Sequence, residues 1–332
     1  PQLARDITAA LAGNGPTLGF GEVGSESGPS QAAVVIGTSG TTGTPKEIFL
    51  SSHALISSAR ASNAFIGAKP GDTWSLLLPL THVAAVNVFV RAFELGTIPV
   101  DLRNHSGEYP RVNFTSIVPT QLFRALNGDD HLLKHLQGAQ RVLVGGAALS
   151  SGIRNQASAA GINVVTTYGM SETSGGCVYN GEVLEGTEVE VRGGSIFIRG
   201  NVLALNLDLS DGWFATSDLG EFVDEKLVVI GRSDDVIISG GENLSLNNVE
   251  SFLNESFPTI QCAAFSVDDP QWGQSLHIAV VGDVDTNSIT SVLERKIGAF
   301  AKPKGIHPVN SLPLLGIGKV DRKRLAHEIP NE

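Results

Sequence analysis

Short apolar runs of four or five residues, each followed by a stretch with helical spacing, recur through the first two thirds of this chain. Ala32–Ile36, Trp74–Leu78, Thr115–Val118, Arg141–Val144 and Asn163–Thr166 predict strands. Ser51 or Ser52 caps a predicted helix whose apolar face includes Leu55, Ile56, Ala59 and Ile66. Val86, Val88, Phe89, Val90 and Phe93 mark another helix. This alternation predicts a mostly parallel sheet covered by helices. Beyond Gly181 the texture changes to shorter alternating strands with turns at Arg192-Gly193-Gly194 and Asp211-Gly212, which predicts antiparallel β structure. The segment Gly231-Arg232-Ser233-Asp234-Asp235 marks a boundary between domains at 1–232 and 233–332. The second domain carries helix candidates at Leu246–Glu255 and Ser288–Phe300, and strand candidates at Ala263–Val267 and Leu276–Val281. The fold class is therefore α/β: a large N-terminal α/β domain with an antiparallel portion, and a small α+β C-terminal domain.

Composition excludes some functions. A net charge of −11 offers no general surface for nucleic acid, so any anion site must be built locally from loop amides and a few placed cations. The two cysteines, Cys177 and Cys262, lie far apart and form no metal or disulfide pattern. No apolar run is long enough to cross a membrane, and Pro1 to Ala12 lack a signal-peptide pattern, so no membrane insertion and a cytoplasmic location are expected.

Five segments carry candidate chemistry. From Gly37 to Lys46 the chain packs five hydroxyl side chains, three glycines and one lysine into ten residues, directly after an apolar strand. Backbone N–H groups, hydroxyls and a cation in that arrangement suit a polyphosphate, although a solvated linker has the same composition. Thr167-Tyr168-Gly169-Met170-Ser171-Glu172-Thr173 follows a strand end, where α/β proteins place ligands. Glu172 suits a hard divalent cation held against phosphate oxygens, or an acidic first turn of a helix. Tyr168 suits a purine ring. Asp218, in Gly212–Gly220, is a turn residue or an acceptor for hydroxyl donors. Gly240-Gly241-Glu242-Asn243 is a plain turn or a point of close backbone approach. In Gly316-Ile317-Gly318-Lys319-Val320-Asp321-Arg322 the lysine is a surface charge or a movable catalytic cation.

In this order the five segments resemble the signatures of the acyl-adenylate-forming superfamily, which includes acyl-CoA synthetases, peptide-synthetase adenylation domains and luciferases. The resemblance spans nearly the whole chain and implies ATP, Mg2+ and CoA as reaction partners, and a small domain that is mobile. It implies that Thr38, Ser39, Gly40, Thr41, Thr42, Gly43, Thr44 and Lys46 grip the β- and γ-phosphates. Tyr168, with Gly169 and Ser171, would face adenine, Glu172 would bind Mg2+, and Asp218 and Arg232 would hold the ribose. Asp234 matches the hinge residue, Gly240 and Gly241 the loop lining the CoA channel, and Lys319 the lysine that contacts carboxylate and phosphate during adenylation. Lys319, Glu172 and Lys46 are the catalytic candidates. Leu312-Pro313-Leu314-Leu315 departs from the Pro-Arg-Thr or Pro-Lys-Thr that family members often carry there. Only 37 residues precede Thr38, far fewer than in most members, which implies a short form.

The acid is read from neighbouring segments. His82 matches a residue that walls the acyl pocket in the family. Arg91 falls on an otherwise apolar helical pattern, where a cation is costly unless it meets an anion or snorkels outward. These segments, with Ser116–Leu122, Gly145–Leu149 and Ser174–Tyr179, are similar to the short actinobacterial o-succinylbenzoate–CoA ligases of menaquinone biosynthesis. The resemblance implies adenylation of the succinyl carboxylate, then thioester formation with CoA, releasing AMP and pyrophosphate. Arg91 would meet the aromatic carboxylate, and Gly145, Gly146, Thr167 and Ser171 would line the pocket beside His82. A ligase for another acyl or aryl acid, or a stand-alone adenylation enzyme feeding a carrier protein, are the alternatives. The oligomeric state is left open, a homodimer included.

Overall fold

Val34 and Ile36 are fully buried and Val35 nearly so, because the strand Ala32–Thr38 lies between two neighbours: Leu18–Phe20 pairs with it in parallel and Lys46–Ser51 antiparallel. In the computed structural model, which describes residues 2–38, 46–314 and 320–329, the register of that antiparallel pair sets Thr38 opposite Lys46. Ser51 caps the next helix, Ser52–Ile66: its hydroxyl accepts from the Ala54 N–H at 3.0 Å, and Gly67 ends the helix at φ +72°.

A seven-stranded sheet forms the centre. Its order is Glu182–Val183, Gly175–Tyr179, Val164–Met170, Arg141–Val144, Phe114–Ile117, Trp74–Leu76 and Val100–Asp101. The last five run parallel and the first two antiparallel. Trp74 and Phe114 are fully buried at its middle, with ring centroids 5.3 Å apart. In this sheet two predicted strand ends move by two residues or more. The strand at Trp74 stops at Leu76, where the chain turns off toward Pro79. The strand predicted to end at Thr166 instead runs through to Met170, because Gly175–Tyr179 folds back and pairs with residues 167–170. The segment Thr167–Met170 is thus strand, not loop.

Residues 187–232 form an antiparallel sheet of Thr187–Arg192, Ser195–Gly200, Trp213–Val223, Leu209–Ser210 and Lys226–Arg232. A fourth sheet, Glu242–Ser245, Val236–Ser239, Gly273–Val281, Gln261–Asp269 and Gly305–Pro308, has its own core under the helices Leu246–Ser256 and Thr286–Lys296. The second of these was predicted to reach Phe300. It stops earlier because Gly298 sits at φ +136°, and a separate 3-10 turn follows at Ala299–Ala301. Arg322 knits this part together. Its guanidinium reaches Asp235 Oδ1 at 3.2 Å, Asn247 Oδ1 at 3.0 Å, Glu250 Oε1 at 2.9 Å and the Ala264 carbonyl at 2.9 Å. Burial raises the Glu250 pKa, and the Arg322 charge opposes that rise. Cys177 and Cys262 are separate buried thiols, and burial pushes Cys177 up to about 12. Among the described residues no helix is long and apolar enough to cross a membrane.

His135 is buried beneath the parallel sheet, where Nε2 meets the Ser75 hydroxyl at 2.9 Å and Nδ1 donates to the Pro110 carbonyl at 3.1 Å. Burial holds its pKa below the ordinary histidine value. The unfolded chain therefore takes up a proton near pH 6.5, while the folded state resists it until lower pH. Its contribution is fully present above about pH 6.5 and is lost as pH falls below that value. Urea midpoints measured from pH 7.5 to 5 fall less steeply in His135→Gln than in the parent chain; equal slopes exclude this contribution.

Candidate functional site

The carboxyl ends of the parallel strands lie along one edge of the sheet, and Gly145, Gly146, Thr167 and the stretch leading to Glu172 follow from them. After Val144 the chain passes through Gly145 and Gly146. A Cβ at Gly145 would sit 2.2 Å from the Thr167 hydroxyl on the neighbouring strand, so a side chain there would force Thr167 to move. Gly146 adopts φ +85°, which glycine reaches without strain. Gly169 is required for another reason. The register shifts between Tyr168 and Gly169, and a Cβ at Gly169 would meet the Gly175 carbonyl at 2.0 Å. The strand then ends in the 3-10 turn Ser171–Thr173, which carries Glu172.

Two candidate charges meet at this turn. Lys46 Nζ lies 3.7 Å from Glu172 Oε1, with the lysine exposed and the glutamate side chain 19% exposed. Thr38, opposite Lys46, donates its hydroxyl to the Lys46 carbonyl at 2.9 Å and so ties the two strands. Ser39, Gly40, Thr41, Thr42, Gly43, Thr44 and Lys319 lie outside the described residues.

A second group forms where the central and antiparallel sheets approach. The Tyr168 hydroxyl donates to Asp218 Oδ2 at 2.8 Å. Asp218 lies inside the strand Trp213–Val223 and not at a turn, and it is 8% exposed. Strand pairing sets Arg232 opposite it, with Nη1 3.8 Å from Oδ1. Burial first, and the Asp218 charge second, push the Tyr168 phenol far above its ordinary pKa, so it remains a donor. The result is a buried carboxylate, a phenol and a guanidinium presented together.

Arg91 sits on the helix Val83–Glu94, which follows strand Trp74–Leu76, and His82 is the residue that begins this helix. Arg91 does not snorkel: it is 4% exposed. Nη1 donates to the Ser116 hydroxyl at 3.2 Å and Nη2 to the Tyr179 hydroxyl at 3.0 Å, while the guanidinium lies 5.2 Å from the Trp74 ring centre. Among the described residues Nε has no acceptor and every partner is neutral. The guanidinium therefore lacks a countercharge among the described residues, an arrangement that is costly for a buried cation. Sequence reasoning gave no role to Ser116, Tyr179, Trp74 or Asn87. A polar residue four positions before Arg91 on an apolar helix was the signal for Asn87. Elsewhere, Gly240 and Gly241 form the tight turn between Val236–Ser239 and Glu242–Ser245 at φ +61° and +87°, and Asp234 lies in the one-turn helix Ser233–Asp235.

Comparison with known proteins places this geometry. The AMP-binding enzyme family matches residues 8–200, and the AMP-binding enzyme C-terminal domain matches residues 248–319. A probable 2-succinylbenzoate–CoA ligase of Mycobacterium tuberculosis (strain CDC 1551 / Oshkosh) is 38% identical over 329 residues, covering 90% of this chain and 85% of that protein. A 2-succinylbenzoate–CoA ligase of Listeria monocytogenes serotype 4b is 29% identical, covering 89% and 70%. Among solved structures, the o-succinylbenzoate CoA synthetase of Bacillus subtilis with its acyl-adenylate intermediate aligns with TM-score 0.74 at 25% identity, over 89% of this chain and 69% of that one. An ATP-bound RpMatB-BxBclM chimera, at TM-score 0.78 and 22% identity over 92% and 69%, shares the fold. Taken with the convergence of Lys46, Glu172, Tyr168 and Asp218 at the edges of these sheets, the matches establish that the chain belongs to the AMP-binding enzyme family.

Proposed function

We propose that this enzyme is an AMP-forming acid–thiol ligase whose acid is o-succinylbenzoate. The observation that carries the choice of acid is Arg91, a buried guanidinium with no carboxylate among its described partners. A substrate with two carboxylates satisfies it: one is activated, and the aromatic one supplies the missing countercharge. The names of the Mycobacterium and Listeria relatives support the same acid.

In this reading Lys46 and the glycine-rich segment from Thr38 to Thr44 hold the outer phosphates of ATP. Tyr168 keeps Asp218 oriented by its hydrogen bond and turns its ring to adenine beside Gly169 and Ser171. Asp218 and Arg232 take the ribose hydroxyls, which are donors suited to a carboxylate. Among the described residues no group of three metal-binding side chains occurs. Mg2+ in nucleotide sites binds through one or two carboxylates together with phosphates and water. Glu172, partly exposed beside Lys46, is the residue that would hold it. When bound, Mg2+ neutralises charge on the phosphate oxygens. His82, Gly145, Gly146, Thr167 and Ser171 wall the acid, and close packing at Gly145 and Thr167 keeps that wall rigid. Lys319 then steadies the negative charge developing between carboxylate and α-phosphate. For the second step, the domain 233–332 turns about Asp234, withdraws Lys319 and brings the Gly240-Gly241 turn to the CoA thiol.

Purified protein with Mg·ATP, CoA and o-succinylbenzoate releases pyrophosphate and forms the thioester; absence of both across this acid and a panel of aryl acids refutes the ligase assignment. Arg91→Ala raises the apparent KM for o-succinylbenzoate about thirtyfold, near 2 kcal/mol, and leaves that for ATP unchanged. An unchanged acid KM removes the second-carboxylate role. Asp218→Ala has the opposite pattern, raising the KM for ATP about tenfold with the acid KM unaffected. Lys319→Ala slows adenylation about a hundredfold while thioester formation from supplied acyl-adenylate persists; equal loss in both half-reactions contradicts the role given to Lys319.

A further inference from the structure

Asn87 lies one turn before Arg91 on the same helix face and is fully buried. Its Nδ2 donates to the Ser174 carbonyl at 2.6 Å, across 87 residues of sequence. That carbonyl can only accept, so the orientation of the amide is determined: the NH2 faces Ser174 and Oδ1 points away, with no donor among the described residues.

The partner is an unusual piece of backbone. Ser174 is a non-glycine residue at φ +51°, directly after the 3-10 turn that carries Glu172. Such a conformation persists only where its surroundings hold it. Here the Ser174 N–H donates to the Ser171 carbonyl at 3.1 Å and its hydroxyl to the Val202 carbonyl at 2.8 Å. Thr173 Oγ1 adds a bond to the Gly175 carbonyl at 2.7 Å. The next residue, Gly175, sits at φ +105°, and a Cβ there would come within 2.0 Å of Asn87 Nδ2. The helix amide therefore occupies the space that a side chain at position 175 would take. Asn87 is the one side chain of helix Val83–Glu94 that hydrogen-bonds this turn among the described residues.

We propose that Asn87 is a positioning residue: it sets the turn bearing Glu172 at a defined place relative to the helix bearing Arg91, and so links the metal-binding carboxylate to the acid-binding cation. The proposal rests on the roles given above to Glu172 and Arg91. In adenylation the acid carboxylate must meet the α-phosphate at bonding distance, and small displacements between the two subsites are costly. A single buried hydrogen bond between the elements that carry them controls that spacing.

The first readout needs no ligand. In Asn87→Ala, amide hydrogens of residues 171–176 exchange about tenfold faster, while those of the strand Arg141–Val144 keep the parent rate. The second readout is calorimetric: the ratio of ATP affinities with and without Mg2+ falls about tenfold in the variant, and Glu172→Gln, which removes the carboxylate itself, shows a comparable fall. Asn87→Ser, which keeps a donor on a shorter arm, retains the fold and gives intermediate values in both. Unchanged exchange at 171–176, acceleration spread evenly over the chain, or an unchanged Mg2+ ratio each overturn the proposal. If the parent protein itself shows no Mg2+ dependence of ATP affinity, the metal role of Glu172 fails, and the exchange result alone decides whether Asn87 holds the turn.

Discussion

Removing a guanidinium from water costs several kcal/mol unless protein groups replace its hydration, and the centre of this fold is arranged around that requirement at Arg91. Several elements contribute groups around it. Strand Phe114–Ile117 offers Ser116, the antiparallel strand Gly175–Tyr179 offers Tyr179, and Trp74 presents its ring. Helix Ser52–Ile66 supplies Ser62, within 2.8 Å of the Tyr179 hydroxyl, and Asn63, which donates to the Arg91 carbonyl at 3.0 Å. Two helices and three strands are thereby aligned on one charge. Among the described residues its partners are all neutral.

The group of Tyr168, Asp218 and Arg232 follows a different logic. Tyr168, Asp218 and Arg232 come from a parallel sheet and an antiparallel one, and are joined by contacts within 3.8 Å. Their alignment depends on strand register: a one-residue slip at Asp218 would turn its carboxylate to the opposite face. The bulge between Leu219 and Gly220 lies one pair beyond Asp218–Arg232, after Leu219–Gly231, and the strands resume pairing past it.

Much of the scaffold was legible from local pattern. The run Ala32–Ile36, the cap at Ser51 and the apolar face of Val83–Glu94 are short-range signals, and periodicity with capping chemistry is enough to read them. The cost of a cation at Arg91 was also readable from the helix pattern. What was not legible depends on partners distant in sequence. The strand Val164–Met170 extends past Thr166 only because residues 175–179 return to pair with it. Tyr168 finds Asp218 across 50 residues and Asn87 finds Ser174 across 87. No period encodes such pairs. The glycines at 145, 169 and 175 were visible as glycines, but the atoms that require them were not.

The Arg322 contacts have a mechanical meaning for the small domain. One guanidinium is bonded to Asp235 beside the proposed pivot, to Asn247 and Glu250 on helix Leu246–Ser256, and to the backbone of strand Gln261–Asp269. The end of the chain is therefore clamped to the residues nearest the axle. In the rotation about Asp234 proposed above, the residues tied by this guanidinium would move as one block and not shear against one another.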